Sequence, residues 1–305
     1  MFQNLESNKI IKILKNVKKY LVKDSVISLE NILIIDDKTY FLINNQKNGS
    51  YGKIKFYNDD SNNFICKSAL NKHSLKSVMA EIKIHSILSS FQDIYLKNNI
   101  IPKVLHVYKI ENSDFKEFMM DKYKEDIYDI FVNININNIK DEYLFIELLY
   151  QISFHLRTLQ KYFSFIHNDL KPNNIFYKLI NPNKEISYHN IIFVIGDFGG
   201  SSIKFNNNLI SGEVKGSSEE LIEEKDIFML VHIILTFIKD KYKNDMIRFL
   251  NKMFNNQVYT NMAVTKDNGW HKLYTMNKYP SIYKPKNVLK RIKNMYPHFK
   301  NFSKN

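Results

Sequence analysis

Apolar residues recur along this chain with two different periods, and the change of period divides it. Over residues 5–22, Leu5, Ile10, Ile13, Leu14, Val17 and Leu21 follow helical spacing, with lysines on the opposite face. A basic amphipathic helix of this kind suits a membrane surface or a partner helix. The commoner case is a helix packed on the domain that follows, and that is the expectation here. From Thr39 to Leu70 the pattern becomes strand-like: 39–44, 52–57 and 63–68 are short, rich in Phe, Tyr and Ile, and separated by Asn, Gly and Asp. A helix is predicted around 74–90, then strands at 103–110 and 115–121. Beyond Lys122 long helical periods dominate, at 142–162, 225–238 and 243–256, interrupted by short strands near 175–180 and 191–195. Asn-rich stretches at 133–138 and 206–208 read as loops, and no internal repeat is visible. A β-rich part followed by a helix-rich part predicts an α+β protein of two lobes joined near Asp121–Lys124. The expected divisions are an N-terminal extension over 1–38, a small β-rich lobe with one main helix over 39–121, and a larger helical lobe over 122–305.

Composition narrows the class of protein. The chain has 305 residues, 44% of them hydrophobic and 25% charged, which is ordinary for a water-soluble globular protein. The net charge of +13 would suit acidic partners, nucleic acid or an anionic membrane. However, the lysines alternate with acids and asparagines and form no run of five or six. The charge therefore reads as a solvated surface, and nucleic acid is not a required partner. Cys66 is the only cysteine, which excludes an intramolecular disulfide and suits a reducing compartment. The longest apolar run, Met229 to Ile238, is too short to span a bilayer and contains His232. Near the N-terminus, lysines interrupt the pairs Ile10-Ile11 and Ile13-Leu14, so no secretory segment is expected. A soluble, intracellular, cytoplasmic protein follows from these readings.

Chemistry concentrates at 165–176, Phe-Ile-His-Asn-Asp-Leu-Lys-Pro-Asn-Asn-Ile-Phe. A carboxylate (Asp169), a cation (Lys171) and an amide (Asn174) stand at offsets of zero, two and five. Phosphoryl transfer needs these three chemistries together: a base for a hydroxyl, a cation for a migrating phosphate and an oxygen ligand for Mg²⁺. Gly196-Asp197-Phe198-Gly199 follows, a second carboxylate framed by glycines. Only eight glycines occur, and five of them are Gly49, Gly52, Gly196, Gly199 and Gly200, where backbone must turn tightly or approach a ligand. Gly-Ser-Tyr-Gly-Lys-Ile at 49–54 fits either an ordinary hairpin or a turn whose N–H groups, including that of Ser50, close over phosphates. Lys67 ends the next apolar strand, and Glu81 lies in the following helix. They are either two solvated charges or an ion pair that holds a phosphate-positioning lysine.

His-x-Asp-Leu-Lys-Pro-x-Asn followed by a strand and Asp-Phe-Gly resembles the catalytic loop and metal-binding motif of eukaryotic-type serine/threonine protein kinases, over about 39 to at least 240. The resemblance implies a two-lobed fold, ATP and Mg²⁺ as cofactors and a protein substrate. Asp169 would orient and deprotonate the hydroxyl, and Lys171 would neutralise charge on the γ-phosphate. Asn174 and Asp197 would hold Mg²⁺. Lys67 and Glu81 would position the nucleotide beneath Gly49, Ser50 and Gly52. Ile54 and Ile65 match the adenine roof, Phe176 the floor and Met120 the back of that pocket. His167 and Phe198 match structural positions. Asp226, at the start of Asp-Ile-Phe-Met-Leu-Val, matches an aspartate that supports the catalytic loop; a simple helix cap is the competing account.

Several positions depart from that pattern. Asn168 replaces the arginine that commonly pairs with a phosphorylated activation segment, which predicts competence without that switch or control by another route. Between Asp197 and Asp226 no clear Ala-Pro-Glu occurs, although Gly216-Ser217-Ser218-Glu219 is a degenerate substitute. Lys47 stands where the first of three glycines is usual, and about Asn181 to Asn190 is an insertion. His85, one turn after Glu81, reads as a satisfied core histidine in preference to a pH switch. Trp270 reads as a packing residue. In composition and compactness the chain is similar in style to kinases of large DNA viruses. A pseudokinase scaffold and a small-molecule kinase of related fold are the alternative functions.

Overall fold

The structure is a computed structural model that describes residues 5–22, 26–28, 31–48, 52–110, 116–123, 125–212, 221–258, 276 and 278–297. It divides into two compact units, one of Asn4–Tyr123 with Gly196–Lys215 and one drawn chiefly from Lys124–Ile195 and Gly216–Asn305.

The first unit is built on a seven-stranded antiparallel sheet of order β1-β2-β3-β4-β5-β7-β6. Its strands are β1 Ile27–Ser28, β2 Ile32–Ile35, β3 Lys38–Asn48, β4 Gly52–Asn58, β5 Asn63–Ala69, β6 Val104–Lys109 and β7 Lys116–Asp121. The strands β1 and β2 extend the sheet on the N-terminal side of the predicted ones. The apolar run Ile32-Leu33-Ile34-Ile35 turns back through Asp36 and Asp37, both with positive φ, as a two-residue hairpin requires. Helix α1 (Ser7–Tyr20) packs along helix α2 (Lys72–Tyr95). Ser90 Oγ donates to the Ile13 carbonyl at 2.9 Å, and the Tyr20 hydroxyl donates to Asp93 at 2.9 Å. Asn71 caps α2 by accepting from the Ser74 amide, while Ser74 Oγ accepts from the Asn71 amide.

A final hairpin of this unit, β11 (Ser202–Phe205) and β12 (Asn208–Ser211), was not expected, because 206–208 reads as a loop. Asn206 and Asn207 both take positive φ, and asparagine adopts that conformation more readily than most residues. The same Asn-rich composition that suggests an irregular loop thus supplies a tight turn.

In the second unit, strands β8 (Glu125–Asp126), β9 (Ile175–Leu179) and β10 (Ile191–Ile195) form an antiparallel sheet of order β10-β9-β8. Its helices are α3 (Tyr128–Val132), α4 (Ile139–Phe163), α5 (Lys225–Phe237), α6 (Asp240–Met253) and α7 (Pro285–Met295). Helix α6 ends earlier than its period predicts, since Asn255 and Asn256 turn left-handed. Helix α5 is buried over Lys225–Leu235, which makes it the centre of the unit. The loop at 181–190 is organised by one side chain: the Asn190 amide donates to the carbonyls of Asn181, Lys184 and Glu185. None of the described helices is long and apolar enough to cross a membrane.

Glu147 on α4 is a buried carboxyl whose Oε1 accepts from Gln151 at 2.7 Å, while Oε2 has no partner. Burial pushes it from 4.5 up to about 7, only partly opposed by the Gln151 bond. The folded state therefore holds this proton more tightly than the unfolded chain. Its contribution is full below the unfolded value and is lost as pH rises through 7. We expect Glu147→Gln to stabilise the fold by roughly 2 kcal/mol at pH 8 and by little at pH 4, checked by urea unfolding at both pH values.

Candidate active site

Strand β5 brings Lys67 into the interior of the first unit, with 7% of its surface exposed. Its register fixes the surroundings: Lys67 pairs with Ile54 on β4, and Ile65 pairs with Met120 on β7. Gly52, at the start of β4, lies against the lysine stem. A Cβ there would stand 3.0 Å from Lys67 Cε and 3.0 Å from the Ser68 carbonyl oxygen, so this position needs glycine for close approach. Ile54 and Ile65 are half-buried, and Met120 is buried in the cluster containing Val78, Ile82 and Val104.

The Lys67 ammonium donates to Glu81 at 2.8 and 2.9 Å and to Asp197 Oδ1 at 2.6 Å. Of the two readings left open by sequence, the ion pair is the one observed. Burial works against the Lys67 charge, but the Asp197 and Glu81 carboxylates outweigh it and hold its pKa above the ordinary value. Burial likewise pushes Glu81 up to about 7, opposed by Lys67. One cation therefore organises two carboxylates, and the buried one, Glu81, depends on it most to stay ionised.

The Asp-Phe-Gly turn is anchored to α2. Asp197 has φ 59°, in the left-handed region. Ser77, one helical turn before Glu81, donates Oγ to the Gly199 carbonyl at 2.9 Å. Phe198 is fully buried, its ring 4.9 Å from that of His85. His85 Nε2 bonds the Pro102 carbonyl at 2.7 Å, and burial lowers its pKa to about 4. It is a neutral core residue at neutral pH, with Nδ1 unpartnered.

The hairpin β11–β12 brings Gly212 back to this turn, where its amide donates to the Ser201 carbonyl at 2.8 Å. A Cβ at Gly212 would collide with the Gly199 carbonyl group. Gly212→Ala is expected to destabilise the first unit by about 1–3 kcal/mol. Thermal unfolding checks this; an unchanged midpoint would contradict the close packing.

In the second unit, the loop after α4 gathers Asp169, Lys171 and Asn174. Lys171 Nζ donates to Asp169 Oδ2 at 2.7 Å. Asn174 Nδ2 donates to the Asp169 carbonyl at 2.8 Å and to its Oδ2 at 3.1 Å. Neither Asn174 bond uses Oδ1, the amide oxygen suited to a hard cation. Asp226 closes the loop from α5: its Oδ2 accepts from the His167 amide at 2.9 Å and its Oδ1 from the Asn168 amide at 3.0 Å. Glu224 occupies the N-cap of α5, so Asp226 supports the loop and is not a simple cap. Burial raises the Asp226 pKa, and His167 and its amide oppose the rise. Phe176 is half-buried on β9, paired with Val194 and Asp126.

Gly49, Ser50, Gly216–Glu219 and Trp270 lie outside the described residues. No protein-family model matches the chain, and no curated protein matches it. Among solved structures, the BubR1 kinase domain aligns with 99% of this chain and 96% of its own, at TM-score 0.51 and 14% identity. Vaccinia related kinase 3 aligns with 94% of this chain and 96% of its own, at TM-score 0.49 and 8% identity. The fold is that of a protein kinase. At 14% identity the likeness concerns fold alone.

Sequence reasoning missed three residues within this kinase fold. Ser77 and Gly212 tie down the Asp-Phe-Gly turn. Lys225, next to Asp226, donates Nζ to Asn168 Oδ1 at 2.9 Å. Of the three, only Lys225 left a signal, as a cation beside Asp226 at the head of a largely apolar helical run.

Proposed function

We propose that this chain is an ATP-dependent protein kinase that phosphorylates serine and threonine hydroxyls with Mg²⁺. The observation that carries the reading is the Lys67 ammonium bonded to both Glu81 and Asp197, residues 14 and 130 positions away in sequence. A buried lysine held this way is fixed in position and charge, as contact with the nucleotide's phosphates requires. Asp169 takes the proton of the substrate hydroxyl while that oxygen bonds the γ-phosphorus and the bond to the ADP oxygen breaks. Lys171, already on the Asp169 carboxylate, balances the charge of the transferred group. Asp197 and Asn174 offer the carboxylate and amide oxygens that Mg²⁺ prefers, and the metal, when bound, neutralises phosphate charge. Ile54, Ile65, Met120 and Phe176 supply apolar surface for adenine, and Gly49, Ser50 and Gly52 the backbone over the phosphates.

Competence without phosphorylation of the chain itself fits Asn168 and the formed Lys67–Glu81 pair. The serine/threonine preference rests on Lys171.

The test offers labelled ATP and Mg²⁺ with basic and acidic protein substrates, followed by phosphoamino-acid analysis. Label on protein serine and threonine is the expected result. Label on small metabolites alone would assign a small-molecule kinase, and nucleotide binding without transfer a scaffold.

A further inference from the structure

Helix α5 opens with two ionisable residues that are both removed from solvent: Lys225 is 1% exposed and Asp226 is fully buried. The rest of its first turns, Ile227, Phe228, Met229 and Leu230, are buried and apolar. A lysine in such a place loses its hydration, and burial lowers its pKa, with the neighbouring Asp226 charge acting against that shift. Packing alone would be served better by leucine or methionine, so the ammonium calls for a reason. Its hydrogen bond to Asn168 Oδ1 supplies one.

Asn168 is itself buried and has φ 66°, so the chain reverses its local twist one residue before Asp169. Asparagine tolerates that conformation better than most side chains and also offers an acceptor. Asp226 holds the two amides at His167 and Asn168, and Lys225 holds the side chain between them and Asp169. From the other side, Asn174 grips the Asp169 carbonyl. The backbone bearing Asp169 is therefore clamped at both ends, and one jaw consists of adjacent residues of a central helix.

We propose that Lys225 is a positioning residue for phosphoryl transfer: through Asn168 it fixes the turn that aims Asp169. This rests on the kinase reading above and adds to it an internal cation where an arginine would answer to a phosphate added to the chain. The clamp is assembled by folding, and needs no such phosphate.

The test uses the full chain and the variants Lys225→Met, Asn168→Gly, their combination, and Asn168→Asp. Glycine keeps the left-handed backbone while removing the acceptor, and aspartate keeps both. Each single loss is expected to lower kcat about tenfold or more, with KM for ATP within about twofold of wild type. The double variant should be no worse than the poorer single one, because both remove one bond. Asn168→Asp should stay within about threefold of wild type. A wild-type kcat for Lys225→Met, or single losses that multiply in the double variant, would overturn the assignment. Asn168→Gly probes the same bond should Lys225→Met fail to fold.

Hydrogen exchange separates this inference from the kinase reading. If wild-type protein transfers no phosphate, faster exchange of the Asn168 and Asp169 amides in Lys225→Met, with α5 still protected, supports the clamp. Unchanged exchange at those two amides refutes it.

Discussion

Asp169→Asn is expected to lower kcat by about 10³-fold or more while leaving ATP affinity within a few fold of wild type. The substitution is nearly isosteric, and its amide oxygen can still accept from Lys171, which lies 2.7 Å from Asp169 Oδ2. Loop geometry is anchored elsewhere, by Asp226 on two backbone amides and by Asn174 on the Asp169 carbonyl. What disappears is the carboxylate proposed to take a proton from the substrate hydroxyl. Paired measurements of kcat and of ATP affinity by titration separate that loss from misfolding or lost nucleotide binding. If kcat fell and the fold melted in parallel, Asp169 would be a structural residue.

Lys67→Met should cost about 10²- to 10³-fold in kcat/KM, for a different reason. Removing the ammonium leaves Glu81, 1% exposed, and Asp197 without the cation that holds both. Burial has already pushed Glu81 up to about 7 with the lysine present, and loss of the lysine raises it further. The variant thus keeps its fold near neutrality by binding a proton on Glu81. Because the folded-state value rises, that stability is present at low pH and is lost as pH climbs past the raised value. Thermal midpoints from pH 6 to 9 should therefore decline more steeply in Lys67→Met than in wild type. Parallel curves would mean that the two carboxylates do not depend on this lysine.

The candidate site loop was legible because Asp169, Lys171 and Asn174 fall within six residues, where short-range geometry alone brings them together. The pairing of Lys67 with Glu81 was not decided by sequence, since it depends on the register of β5 and the phase of α2. The structure decides it at 2.8 Å. Asn206 and Asn207 do lie in a loop, but the strands on either side were missed because asparagine serves an irregular loop and a tight positive-φ turn alike. Lys225 was missed because it sits within the charged run Glu223-Glu224-Lys225-Asp226 and its partner Asn168 lies 57 positions away, beyond the reach of any local pattern. Strand β2 was overlooked because its four apolar residues do not alternate, although the Asp36-Asp37 turn behind it was a usable sign.

The proposed role of the Lys67–Glu81–Asp197 cluster is phosphoryl transfer. Its most direct test is incorporation of label from γ-labelled ATP into protein, in Mg²⁺, by wild type beside Asp197→Ala. Transfer by wild type is expected to fall to background in Asp197→Ala, with the variant still folded. Equal incorporation by the two proteins would contradict it.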